Sequence, residues 1–91
     1  MKVRWTSKAV GDLARLYSFL VPVNRRAAAR VVQSLTTVAH RLLDQPRIGE
    51  KLEQYEPREV RRVLVGRYEM RYEVQASSIF TLRVWHTRAD R

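Results

Sequence analysis

The stretch RRVLVGRYEMRYEVQASSIFTLRVWHTRADR, residues 61–91, decides the fold. Its apolar residues recur at every second position, the period of a half-buried strand. The run is interrupted twice: Gly66 with Arg67 suits a two-residue hairpin turn, and Ala76, Ser77 and Ser78 suit a second turn. The pattern predicts strands over 60–65, 68–74 and 79–86, joined as an antiparallel meander. In the middle strand Tyr68, Met70, Tyr72 and Val74 share one face, and Glu69, Arg71 and Glu73 the other. In the last strand Phe80, Leu82 and Val84 are expected to face one way, with Ile79, Thr81, Arg83 and Trp85 opposite. Arg71 and Arg83 would then stand on the face left open to solvent.

Upstream, Val3 and Trp5 alternate with polar neighbours as in a short strand over 2–6. Thr6 or Ser7 sits where a helix N-cap belongs. Ala9, Leu13, Leu16, Tyr17 and Leu20 follow at helical spacing, predicting a helix from about Lys8 to Leu20 that stops before Pro22. Asn24 is the next N-cap, and Ala28, Val31, Val32, Leu35, Val38, Ala39, Leu42 and Leu43 form a wide apolar stripe running to Asp44. With so short a connection the two helices form an antiparallel hairpin. Residues 45–57, with Pro46, Gly49 and Pro57, read as a loop anchored by Ile48, Leu52 and Tyr55. The assembly is α+β, ordered β-α-α-β-β-β, with the helix hairpin packed on one face of an antiparallel sheet. At 91 residues it is expected to be one domain spanning 1–91.

The composition narrows the function. A formal net charge of +9, carried by fifteen arginines and three lysines, calls for an acidic partner. With no cysteine and two histidines, no thiolate or structural zinc site is expected. No apolar run reaches membrane-spanning length, so a cytoplasmic location away from membranes is expected. Three scattered glycines offer no phosphate-cradling loop, so no cofactor is expected. Ser77 and Ser78 have no histidine and aspartate pattern of a hydrolase around them, and His40 falls on the polar side of its helix. Arg25 and Arg26 occupy the first turn of the second helix, where the dipole disfavours cations by a few tenths of a kcal/mol. Together with Arg30 they also leave open a helix-turn-helix reading of the two helices.

The sequence resembles the ParE/RelE superfamily of toxins from bacterial type II toxin-antitoxin systems. The resemblance is carried by Trp5, Ala9, Asp12 and Leu13, by Pro46 and Gly49, by RRVLVGRYEMRYEV, and above all by the closing RVWHTRADR. It implies a small basic protein that arrests growth and is neutralised by a cognate acidic antitoxin. DNA is met only indirectly, through the antitoxin complex. With an open basic sheet face that suits an acidic segment added as a strand, the resemblance implies Arg61, Arg71, Arg83 and Trp85 as candidate antitoxin contacts.

The superfamily divides by target. The ending VWHTRADR resembles the ParE-like branch, whose members act on DNA gyrase without catalysis, and it implies Arg83, Trp85, His86, Arg88 and Arg91 as target contacts. The alternative is the RelE-like branch, which cleaves mRNA on the ribosome. Cleavage through the 2′-hydroxyl needs a base, an acid and cations around the phosphate. Glu69 would be the base, His86 the acid, and Arg61, Arg71 and Arg83 the clamps, since cross-strand neighbours lie roughly 5 Å apart. Against this, Thr87 follows His86 where RelE-like enzymes often carry tyrosine, and Lys51 is the one lysine beyond the first helix.

Overall fold

A computed structural model describes residues 1–88. Its elements are β1 (Lys2–Trp5), α1 (Ser7–Leu20), α2 (Arg25–Arg41), β2 (Glu50–Lys51), a 3-10 turn (Glu53–Tyr55), β3 (Val60–Val65), β4 (Tyr68–Val74) and β5 (Ser78–His86). The helix starts are set by their caps: Thr6 Oγ1 accepts from the Ala9 amide at 3.1 Å, and Asn24 Oδ1 from the Ala27 amide at 3.0 Å. Gly66, at φ +60°, supplies the left-handed conformation that the two-residue β3–β4 turn demands.

Helix hairpin, meander and element order agree with the sequence reading, and three details differ. The sheet is five-stranded and mixed, in the order β1-β5-β4-β3-β2. β1 lies parallel to β5, pairing Lys2–Trp5 with Ser78–Thr81, because two helices intervene and return the chain along its original direction. The predicted loop over 45–57 contains β2, antiparallel to β3 through Glu50 opposite Arg62 and Lys51 opposite Arg61. Two residues are too few for an alternating pattern to register.

The phase of β5 also differs. Arg71 lies opposite Arg83 while Tyr72 lies opposite Thr81, so Leu82 is an extra residue at a β-bulge. The bulge reverses the alternation. Ile79, Thr81 and Val84 are all buried, whereas Phe80 stands opposite Glu73 and is only half-buried. Arg83 and Trp85 remain in register with Arg71 and Glu69 on the face away from Met70 and Val84.

The core comprises Leu35, Ala39 and Leu42 from α2 against Met70, Tyr72, Val74, Ile79 and Val84 of the sheet. From α1, Leu13 and Leu16 pack at its margin, but Tyr17 is 40% exposed, and Asp12 takes a buried position instead. Leu52 anchors the β2 segment as expected, whereas Ile48 is 61% exposed. Among the described residues no helix is long and apolar enough to cross a membrane, and no group of histidine and acidic side chains could hold a metal ion.

Candidate functional site

Most arginines of the sheet are engaged internally. Arg71 donates Nε to Glu69 at 3.1 Å and Nη1 to the Tyr55 hydroxyl at 2.8 Å, and its guanidinium lies 4.7 Å from the centre of the Trp85 ring. Arg61 donates to Glu59 and to the Gly49 carbonyl, both at 2.8 Å. Arg83 reaches Asp12, with Nε 2.8 Å from Oδ2 and Nη2 3.2 Å from Oδ1. Arg62 pairs with Glu50, and Arg58 with Glu73. Three of the candidate antitoxin contacts, Arg61, Arg71 and Arg83, therefore already hold carboxylates of their own chain.

The Asp12 cluster joins α1 to β5 where β1 no longer pairs. Asp12 Oδ2 accepts the Val84 amide at 2.9 Å, and Oδ1 also accepts from Arg15. Burial opposes ionisation of Asp12, but hydrogen bonds from Arg83, the Val84 amide and Arg15 outweigh it and hold its carboxyl below the ordinary value. Burial likewise opposes ionisation of Glu59, where Arg61 and Arg47 prevail and lower it. Glu73 is lowered chiefly by its hydrogen bond from Arg58.

The residues named for RNA cleavage are not brought together. Glu69 lies opposite Trp85 and His86 opposite Tyr68, so the two side chains leave the sheet on opposite faces. Glu69 is buried, with Arg71 at 3.1 Å and Arg62 at 3.5 Å. His86 packs edge-on to Tyr68 and accepts the Arg88 amide through Nδ1 at 3.1 Å. Arg91, named as a target contact, lies outside the described residues.

A groove of about 1230 Å³ opens between the helix hairpin, the β3–β4 turn and the end of β5. Leu16, Phe19, Leu20, Val31, Val65 and Tyr68 give it an apolar lining. Arg30, Arg67 and Arg88 also line it, and none of the three makes an ion pair with a described residue. In β3, β4 and β5, Arg61, Arg62, Arg71 and Arg83 each meet a carboxylate of the chain, whereas three arginines with no ion pair to a described residue line an apolar groove. Trp85 and His86 reach the same groove, so with Arg88 three of the five predicted target contacts line it, and Arg83 does not. Sequence reading did not single out Phe19, gave Arg67 only a place in a turn, and weighed Arg30 only as part of a helix-turn-helix. One signal was present: in FLVPV, residues 19–23, Phe19 lies off the core stripe of α1, and it is 79% exposed, as Val23 is 81%.

No curated protein matches the chain. Among solved structures, one titled "Chromosomal ParDE TA system from P. aeruginosa" superposes with a TM-score of 0.78 over 94% of this chain and 95% of that one, at 24% identity, which establishes a shared fold. The family described as "ParE toxin of type II toxin-antitoxin system, parDE" matches residues 3–91. The match spans nearly the whole sequence, and the chain belongs to the ParE toxin family of type II toxin-antitoxin systems.

Proposed function

We propose that this toxin acts in the cytoplasm by binding rather than catalysis, that its target is DNA gyrase, and that its cognate antitoxin neutralises it by seating an acidic, amphipathic segment in the arginine-rimmed groove. The groove carries this reading. Its apolar lining offers hydrophobic contact, while Arg30, Arg67 and Arg88 offer charges that no carboxylate among the described residues meets. Arg25 and Arg26 add cations to the first turn of α2, which contains no acidic residue. The gyrase target is supported by the ParE family match and by the likeness of the closing residues to that branch. The separation of Glu69 from His86 removes the main support for mRNA cleavage.

Reversing charge at Arg30 and Arg67 together is expected to weaken antitoxin binding by well over tenfold, because attraction is replaced by repulsion at two points of one groove. Titration calorimetry reads this directly, and an unchanged affinity would place the antitoxin elsewhere. Arg71 and Arg83 are poor choices for the same experiment, since their reversal would strand buried Glu69 and Asp12.

The target is tested by inducing the toxin without antitoxin and following labelled thymidine and methionine incorporation. DNA synthesis is expected to stop before translation, and the reverse order would identify the ribosome as target. Truncation after Thr87 retains the hydrogen bond that the Thr87 amide donates to the Arg67 carbonyl at 2.8 Å and removes Arg88 and Arg91. It is expected to abolish growth arrest while the thermal midpoint stays within a few degrees.

A further inference from the structure

β2 covers only part of the edge of β3. Val60 directs its carbonyl toward the β2 side, where the Leu52 amide donates to it at 2.8 Å. Backbone groups of alternate residues in a strand point the same way, so those of Arg62 and Leu64 also face that edge. Arg62 lies opposite Glu50, but β2 goes no further. The Ile48 amide turns back to the Gln45 carbonyl at 3.2 Å, and Gly49 is tied to Tyr72. The outward N–H and C=O of Leu64 therefore have no partner strand among the described residues, and the Leu64 side chain is 61% exposed. An uncovered edge with apolar side chains is a template for an added strand.

This edge is continuous with the groove. On α2, Ala27, Arg30, Val31 and Ser34 line the groove, and Val38, Arg41 and Leu42 line a second cavity of about 460 Å³. These positions follow one another at helical spacing along one side of α2 for about 22 Å. Across from them, Val65 belongs to the groove and Val63 and Leu64 to the second cavity. One trough thus runs between α2 and the uncovered edge of β3.

We propose that one continuous segment of the cognate antitoxin fills this trough, and that its extended part pairs with Leu64 of β3 as a short strand continuing the line of β2. The proposal rests on the reading of the groove as the antitoxin's seat. Charge selects the occupant: Arg30, Arg41 and Arg67, which have no ion pair with a described residue, outnumber the one carboxylate of the second cavity, Asp44, and a second copy of a chain with a net charge of +9 would be repelled.

The test is residue-resolved amide exchange and methyl NMR on the free toxin and on its purified complex with the antitoxin. In the complex the Leu64 amide is expected to exchange at least 100-fold more slowly than in the free toxin, with the Leu16, Leu20 and Val31 methyl signals shifting. Shifted methyls with an unprotected Leu64 amide would overturn the strand and leave the groove reading standing. Unshifted methyls would overturn both. Protection of Leu64 in the free toxin that grows with concentration would replace the antitoxin by a second copy. As a second measure, Leu64→Pro removes an N–H that faces away from β4, as an edge strand tolerates. It is expected to weaken antitoxin binding at least tenfold, while Leu64→Ala, which keeps the N–H, changes it less than threefold. Equal effects of the two variants would overturn the strand pairing.

Discussion

Asp12→Asn is expected to lower stability by about 2–3 kcal/mol, the range of a charge-assisted hydrogen-bond set whose buried carboxylate loses its charge. The carboxylate accepts from Arg83, Arg15 and the Val84 amide, and an amide of the same shape accepts through one oxygen only. The loss stays below that of a fully buried ion pair because the Arg83 and Arg15 side chains are 44% and 69% exposed, so water takes over part of their solvation. For a domain of this size the change corresponds to a fall in thermal midpoint of about 10–20 °C. The same cluster gives a pH signature. Asp12 has a folded pKa below its ordinary 3.8, so its contribution is fully present above that value and is lost as pH falls through the lower folded pKa. The wild type should therefore lose stability more steeply below about pH 4 than Asp12→Asn. Glu59 and Glu73, also lowered, leave a residual slope in the variant. Parallel acid limbs in urea titrations of the two proteins would remove Asp12 from this role.

Gly49→Ala is expected to cost about 3 kcal/mol, the upper range for overpacking, although the position carries no unusual backbone angle. A methyl there would lie 2.5 Å from the Arg62 carbonyl oxygen and 2.7 Å from the Tyr72 hydroxyl. The carbonyl belongs to β3 and cannot retreat without disturbing the sheet. The Tyr72 hydroxyl is held as firmly, accepting from the Gly49 amide at 3.0 Å and donating to the Pro46 carbonyl at 2.9 Å. Tyr72→Phe alone should cost about 2 kcal/mol by leaving those two groups unpaired. Combined with Gly49→Ala it removes the hydroxyl clash and leaves those with the Arg62 carbonyl and with ring atom Cε1 at 2.9 Å, so the double variant should be somewhat more stable than the sum of the single losses. Strict additivity in chemical denaturation would mean that the methyl is accommodated another way.

The fold was readable because its elements announce themselves locally. Thr6 and Asn24 mark the helix starts, Gly66 marks a hairpin, and the α2 stripe is wide enough to bury. What sequence could not convey were relations between distant residues. The bulge at Leu82 is visible only against β4, and Asp12 reads as an ordinary surface aspartate until Arg83 and Val84 arrive beside it. The site was less legible for a related reason. Alternation placed Arg71 and Arg83 on the open side, but nothing local reveals that Glu69 and Asp12 would engage them. Arg30 and Arg67, in turn, become conspicuous only once every ion pair of the sheet has been assigned.

The parallel pairing of β1 with β5 bears on how the toxin is made. The first strand of this fold has its neighbour at Ser78–Thr81, and its first helix has its anchor at Arg83 and Val84. Contacts so distant along the chain are closed late and slowly. A nascent chain that has not reached β5 therefore carries an unmatched β1 and an untethered α1, so this fold closes only once residues 78–84 have been made.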